Sequence, residues 1–366
     1  MKASLLQQNL DIGLSIASRI IQPTNSLPIL GNVLIAAKKG SLELQATNLE
    51  LSVRYNLPAK VEEPGSCSLP ARLFSDIIHA LTDDKIQLTT EKDNVILRSD
   101  GFHSIMNGLN AEDFPRIPEI STTNTLQLKT QQFIELVEEV LPAVSLDESR
   151  PILAGVLFKL ENTQLQLAAT DSYRLAENTI QTSEKNTISV IIPYRALNEV
   201  IRIAGIISPE EITMHLSETE IIFEIGQAQI ISQLIEGQYP DYTKIIPKES
   251  TTHIVLEKNE LIRSIKIASL FSRENAHSIE LEITLKGLTI HSKASDVGTN
   301  SSELNCKVNG KPVSINVNAK YLLDAISAIK SDKINLAFTQ KLEPCVVKPE
   351  GKYHSEYIHI IMPLRS

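Results

Sequence analysis

The sequence predicts an α+β fold built from three similar domains, and a repeated segment is the first reason. Pro70-Ala71-Arg72-Leu73-Phe74-Ser75-Asp76-Ile77-Ile78 returns as Pro193-Tyr194-Arg195-Ala196-Leu197-Asn198-Glu199-Val200-Ile201, and more loosely as Asn318-Ala319-Lys320-Tyr321-Leu322-Leu323-Asp324-Ala325-Ile326. The steps are 123 residues (193 − 70) and 125 residues (318 − 193). Such a period is too long for a solenoid repeat and matches a whole domain. Other marks keep the spacing: Ala46-Thr47-Asn48-Leu49 matches Ala169-Thr170-Asp171-Ser172, and Phe114-Pro115 matches Tyr239-Pro240. The third reason is that helical and strand-like segments alternate in the same order in each third. The expected domains are 1–124, 125–250 and 251–366, joined by the Pro/Ser/Thr-rich stretches 116–125 and 241–252.

Each domain opens on an amphipathic helix. Leu10, Leu14 and Ala17 share a face in the first, Phe133, Leu136, Val137 and Val140 in the second, and Leu261, Ile262, Ile265 and Ala268 in the third. The repeated motif is the second helix of each domain, with Leu73, Ile77 and Leu81 expected on its inner face. Pro70 and Pro193 stand at its start, where a missing N–H leaves no helical bond unmade. The remainder reads as strands. Lys85–Thr89 pairs with Asn94–Arg98, and Glu211–His215 with Glu220–Glu224. Two helices packed on antiparallel sheet is the expected build of every domain.

Composition narrows the function classes. Hydrophobic residues make up 42% of the chain, enough for ordinary cores. No apolar run approaches the roughly 20 residues that a membrane helix needs. The start, Met1-Lys2-Ala3-Ser4-Leu5-Leu6, lacks the pattern of a signal peptide. Cys67, Cys306 and Cys345 are scattered with no metal-ligand spacing, as expected of reduced thiols. These features predict a cytoplasmic protein with no membrane partner, metal or cofactor. The net charge of −9 counts against nucleic acid on average, but says nothing of how charge is distributed. With aromatic residues at 4% and no tryptophan, stacking platforms for single-stranded bases are not expected.

One charge pattern goes against a local preference. Arg72, Arg195 and Lys320 each lie two residues into the motif, near a helix N-terminus. That end favours Asp or Glu by roughly 0.3–1 kcal/mol. A cation placed there three times points to an external anion such as phosphate, although duplication of an indifferent surface residue gives the same pattern. Arg202, Arg263 and Lys266 add cations on other polar helix faces, whereas Glu135, Glu138 and Glu139 do not fit.

Signatures of catalysis are missing. The chain has no Gly-x-Gly-x-x-Gly, no Gly-Lys-Ser/Thr phosphate loop, no His-Glu-x-x-His and no Gly-x-Ser-x-Gly elbow. Asp171 and Tyr173 form the one acid/base pair that a monomeric three-domain hydrolase could use, yet Asn48 replaces that aspartate in the first repeat. A protein-only scaffold is the other competing reading.

The chain resembles the bacterial DNA polymerase III β subunit family, the sliding clamps, over its full length. The marks are Leu27-Pro28-Ile29-Leu30-Gly31-Asn32, Ala111-Glu112-Asp113-Phe114-Pro115, Ser149-Arg150-Pro151-Ile152-Leu153, Ala169-Thr170-Asp171-Ser172-Tyr173-Arg174-Leu175-Ala176, Tyr239-Pro240-Asp241-Tyr242 and Ile361-Met362-Pro363-Leu364-Arg365. The resemblance implies three clamp-type domains per chain and a head-to-tail homodimeric ring around double-stranded DNA, without sequence-specific contacts or catalysis. It implies docking of the replicative polymerase catalytic subunit, the clamp loader, translesion polymerases, mismatch-repair proteins and ligase through short peptide motifs. The matching pocket positions are Arg150, Leu153, Thr170, Ser172, Tyr173, Arg174, Leu175, Pro240, Ile245, Asn318, Tyr321, Leu342, Ile360, Met362, Pro363, Leu364 and Arg365. Some well-known members carry Gly-His where this chain has Ser172-Tyr173, and the larger ring bears on peptide preference. Arg72 and Arg202 match DNA-facing basic positions of the family; Arg195 and Lys320 join them through the repeat. The loop Gln22–Ser26 lacks an arginine often found there, and His79 stands where a basic residue occurs. Met106, Leu270 and Phe271 match apolar contacts between protomers.

Overall fold

The computed structural model describes residues 1–21, 27–82, 84–117, 124–147, 149–273, 275–294 and 298–364. The first repeat runs β1 (Lys2–Leu6), α1 (Gln7–Ala17), β2 (Asn32–Lys38), β3 (Ser41–Thr47), β4 (Leu51–Pro58), β5 (Lys60–Glu63), β6 (Gly65–Pro70), α2 (Ala71–Ala80), β7 (Lys85–Glu91), β8 (Asn94–Ser99) and β9 (Phe102–Asn107). The second runs β10 (Asn124–Lys129), α3 (Thr130–Val140), β11 (Gly155–Glu161), β12 (Gln164–Thr170), β13 (Arg174–Gln181), β14 (Ile188–Pro193), α4 (Tyr194–Ile207), β15 (Glu211–Leu216), β16 (Glu220–Ile225) and β17 (Ala228–Gln233). The third runs β18 (Thr252–Glu257), α5 (Lys258–Phe271), β19 (Ser278–Thr284), β20 (Gly287–Ala294), β21 (Gly298–Leu304), β22 (Lys307–Asn309), β23 (Val313–Asn318), α6 (Ala319–Ala328), β24 (Lys333–Phe338), β25 (Cys345–Pro349) and β26 (Glu356–Ile361). The order is the same each time, save that the second repeat has no counterpart of the short β5 among the described residues.

Contacts divide the chain into two compact units, 1–131 with 195–234 and 132–194 with 235–366. The division cuts through the middle repeat because its strands serve two continuous sheets. In the first unit, β17 pairs antiparallel with β4, giving the eight-stranded order β10-β15-β16-β17-β4-β3-β2-β6 beside a five-stranded sheet β5-β1-β7-β8-β9. In the second unit, β13 pairs antiparallel with β26, giving β14-β11-β12-β13-β26-β25-β24-β18-β22 beside a four-stranded sheet β21-β20-β19-β23. The two hairpins expected from the sequence form in register, with Thr89 opposite Ile96 and Thr213 opposite Glu224. The β11–β12 turn holds Asn162 and Thr163 at φ of 50° and 67°, the twist that lets a two-residue connection join right-handed strands.

The opening helices bury the expected stripes: Leu10, Leu14, Ala17, Phe133, Leu136, Val137, Val140, Leu261, Ile265 and Ala268 are sealed from solvent, with Ile262 at the margin. The expected inner face of α2 needs correction. Ala71, Phe74 and Ile78 are buried, while Leu73 is 53% exposed. Two apolar stripes lie one residue apart on this helix, and the one carrying the phenyl ring has more area to remove from water. Pro70 and Pro193 sit one place earlier than expected. Each closes a strand, paired with Asn32 and Gly155 respectively, and lies just outside the helix that follows.

Met106 also departs from expectation. On β9 it points into the first unit's core at 5% exposure, and the neighbouring Ile105 is the exposed apolar side chain at 60%. Strand alternation puts them on opposite faces. Leu270 is exposed and Phe271 half-buried in the last turn of α5. Cys67 and Cys345 are buried, and burial pushes both thiols up to about 12, which leaves them unreactive.

Candidate peptide-docking site and exposed helix termini

The turn between β12 and β13 organises most of the expected pocket. The Thr170 hydroxyl donates to the Arg174 carbonyl at 2.6 Å and accepts from the Ser172 N–H at 3.1 Å. Asp171 Oδ1 accepts from the N–H groups of Tyr173 and Arg174, both at 2.9 Å. Ser172 takes φ of 78°. The first repeat folds the same turn. Leu49 has φ of 79°, Asn48 Oδ1 accepts from Glu50 and Leu51 at 3.1 and 2.8 Å, and Thr47 accepts from Leu49 at 3.0 Å. Asn and Asp do the same work here because only a side-chain oxygen two or three residues upstream is needed. This answers the acid/base reading of Asp171. Its second oxygen binds Arg174 Nε at 2.9 Å, so the carboxylate is committed to holding the turn.

Arg174 connects that turn to α6. Its side chain, 9% exposed, pairs with Asp171 and, through Nη1 at 2.6 Å, with Asp324. The guanidinium lies 4.3 Å from the centroid of the Tyr321 ring, within cation–π range. Asn318 caps α6, its Oδ1 accepting from Lys320 and Tyr321 at 2.9 and 3.2 Å. The C-terminal tail runs between the two elements: Met362 N–H donates to the Tyr173 carbonyl at 2.9 Å, and Leu364 N–H to the Asn316 carbonyl at 2.8 Å. Arg150 reaches the same turn, donating from Nη1 to the Ser172 hydroxyl at 3.2 Å.

Beneath lies an apolar floor. Leu157, Ala168, Leu175, Ile191, Tyr239, Tyr242, Ala337, Val346 and Ile360 form one buried cluster, with Ile152, Leu153, Ile235, Ile245, Ile246 and Ile358 packed on it. Leu153, Leu175, Ile245 and Ile360 lie in this cluster and Met362 does not, and Leu175 and Ile360 are each only 1% exposed and act as floor. The Tyr239 hydroxyl accepts from the Thr170 N–H at 3.0 Å and its ring meets Tyr242 edge-on, so the Tyr-Pro-x-Tyr segment props the turn from below. Tyr239 and Tyr242 are readable from that motif; Ile191, Ile235, Ile246 and Ile358 carry no signal apart from ordinary core residues. Tyr173 and Leu342 stand out into solvent, at 60% and 70%, and Pro240 is exposed. Met362, Pro363 and Leu364 are half-buried. Arg365 and the loop Gln22–Ser26 lie outside the described residues.

Arg72, Arg195 and Lys320 occupy the second position of α2, α4 and α6, all exposed, with no acidic residue in any of those first turns. Arg202 does not join them. Its side chain is 17% exposed, pairs with Glu199 at 2.7 Å and donates to the carbonyls of Ser15 and Ile16 at the end of α1. It closes a helix C-terminus, where unpaired carbonyls favour a cation. His79, 81% exposed, pairs with Asp11 at 3.3 Å. No group of three potential metal ligands occurs among the described residues, and no helix among them is long and apolar enough to cross a membrane.

Three family models match in series: the N-terminal, central and C-terminal domains of the DNA polymerase III beta subunit, over residues 1–118, 127–241 and 243–365. A beta sliding clamp from Staphylococcus epidermidis is 32% identical over 361 residues, covering 95% of both chains. The chain belongs to the DNA polymerase III β subunit family, the bacterial sliding clamps. The Staphylococcus aureus clamp is 31% identical over the same length. Among solved structures, the β subunit of Streptococcus pyogenes matches with a TM-score of 0.95 at 28% identity, covering 100% of both chains. The Bacillus subtilis clamp matches at 0.94 and 26%, covering 100% of this chain and 99% of its own. A Bartonella birtlesii clamp solved bound to griselimycin matches at 0.95 and 26%, over 100% of both chains. Members of this family are non-catalytic accessory subunits, and this chain is a processivity clamp for the replicative polymerase.

Proposed function

We propose that two copies of this chain close head to tail into a ring around duplex DNA, acting in the cytoplasm. The observation that carries this is a joint used twice. The fourth strand of the first repeat, β4, pairs with the last strand of the second, β17; the fourth strand of the second, β13, pairs with the last strand of the third, β26. Among the sheet edges, β21 and β9 are the fourth and last strands that a third joint of the same kind would use. Two chains joined head to tail make it twice and close. An unpaired strand edge calls for such a partner. Val53 faces Ile230 and Ala176 faces His359 in the existing joints. Following the hairpin registers outward from the repeated motif, the equivalent pair across the third joint is Asn300 and Ser104, with Ile105 beside Thr299. Ile105 thus takes the interface role that the sequence assigned to Met106, with Leu270 and Phe271 adding apolar surface.

Domains 1–124, 125–250 and 251–366 are the units repeated around this ring. Arg72, Arg195 and Lys320 meet the phosphate backbone as mobile, sequence-independent contacts. The turn at Thr170–Leu175, the tail at Met362–Leu364 and the floor of Leu153 and Ile245 take a short peptide with aliphatic or aromatic anchors, Tyr173 and Leu342 forming its rim. The polymerase catalytic subunit, clamp loader, translesion polymerases, mismatch-repair proteins and ligase dock there in turn. The test is retention on nicked circular DNA followed by linearisation. The loaded protein stays on the circle and is lost from the linear form; equal loss from both overturns topological tethering. Met362→Ala is expected to weaken binding of a polymerase-derived peptide while the native mass stays that of a dimer, and unchanged affinity rejects the pocket.

A further inference from the structure

Glu135, Glu138 and Glu139 on α3 are the helix charges that DNA binding leaves unexplained, and the structure gives one of them unusual surroundings. Glu139 is 0% exposed. Its carboxyl accepts hydrogen bonds from Asn178 of β13 and from the Tyr353 hydroxyl ahead of β26. His354 Nε2 stands 3.5 Å from Glu139 Oε2. The Glu139 carbonyl accepts from the Tyr357 hydroxyl at 3.1 Å, and Tyr357 sits opposite Asn178 in the β13–β26 ladder. The same carboxylate region therefore touches α3 and both strands of the joint between the second and third repeats.

The charges facing Glu139 leave it without a dedicated counter-ion. Lys330 is bonded to Glu138 at 2.9 Å. Glu135 lies 3.9 Å from His354 and adds negative potential. Of the titratable groups of β26, Tyr357 and His359 are buried and Glu356 is exposed, and burial holds the His359 imidazole neutral at about 3. Asn178 Oδ1 and His359 Nε2 have no hydrogen-bond partner among the described residues. An unpaired carboxylate in such a place is costly, and the usual resolution is a bound proton.

We propose that Glu139 and His354 form a proton-binding clasp across the β13–β26 joint, closed while the pair holds one proton and loosened when that proton leaves. Burial pushes the Glu139 carboxyl up to about 7, and burial also lowers the His354 imidazole, so each group is driven toward its neutral form. A carboxyl raised in the closed form and ordinary in the open one stabilises the closed form fully at acidic pH. That stability is lost as pH rises through the raised value.

The test is amide hydrogen exchange on the full-length protein, followed in the segment 353–361 and corrected for the intrinsic rate. Linkage through the Glu139 carboxyl raises the opening constant between pH 6 and pH 8, with the lowered His354 imidazole offsetting part of the rise, and Glu139→Gln abolishes it. The same slope in Glu139→Gln, or no slope in the parent, overturns the clasp. Difference infrared spectroscopy provides a readout that does not depend on that variant folding. A protonated carboxylic-acid band is expected at pH 6, lost by pH 8 and shifted by Tyr353→Phe, which removes a donor to it. Absence of the band at pH 6, or a band that Tyr353→Phe leaves unmoved, also overturns the proposal.

Discussion

Replacing Arg174 by methionine is expected to loosen the docking site without disturbing its apolar floor. Methionine keeps much of the aliphatic stem and removes three interactions: the bonds to Asp171 and Asp324 and the stack on Tyr321. Asp171, at 12% exposed, loses a partner for its second oxygen in a largely buried place, worth about 2–3 kcal/mol. Asp324, at 32%, is partly solvated and contributes at most about 1 kcal/mol after screening. Loss of the cation–π contact adds about 1 kcal/mol. The local cost is therefore on the order of 4 kcal/mol, concentrated where the turn meets α6. Because the chain holds two compact units, a single unfolding midpoint is a poor measure. Hydrogen exchange at residues 170–175 and 362–364, with peptide affinity by calorimetry, reads the effect directly. Peptide Kd should rise at least about tenfold as the tail loses its preset position against Tyr173, and Arg174→Lys should recover only part of it, lacking the fork. Unchanged exchange and unchanged affinity in Arg174→Met would refute this account of the site.

Other perturbations separate the remaining roles. Arg72→Ala, Arg195→Ala and Lys320→Ala should each reduce the salt dependence of DNA retention by about one unit of slope, leaving stability nearly unchanged. Arg202→Ala should do the reverse, lowering stability by about 1 kcal/mol through the lost helix closure and leaving the salt slope alone; a slope change would return it to the DNA-facing set. Ile105→Asp places a charge on the edge expected to pair with β21 and should shift native mass from dimer to monomer, whereas Met106→Ala should act mainly by lowering the stability of the first unit. Asn318→Ala removes the cap of α6 and should cost about 1 kcal/mol, seen as faster exchange in its first turn.

Much of the build is legible in the sequence alone. The threefold repeat, the inner faces of α1, α3 and α5, and the hairpins at 85–98 and 211–224 all follow from local periodicity, which one residue's neighbours in sequence settle. The residues of the docking site were reached through resemblance, since Leu153, Leu175 and Ile360 look like any core residue when read alone.

What local pattern left undecided was resolved by partners far away in sequence. α2 carries two apolar stripes, and only the element packed against it selects Phe74 and Ile78 over Leu73. Met106 and Ile105 are equally apolar neighbours, and only the placement of their sheet decides which is buried. Arg202 resembles its exposed counterparts until the end of α1 is set beside it. Glu139 looked like one more acidic helix residue, and the β13–β26 joint made it a buried carboxyl. In each case the sequence determined what the side chain can do. The tertiary structure decided whether water, a helix end or another polar group would meet it, because desolvation is set by contacts that no local spacing encodes.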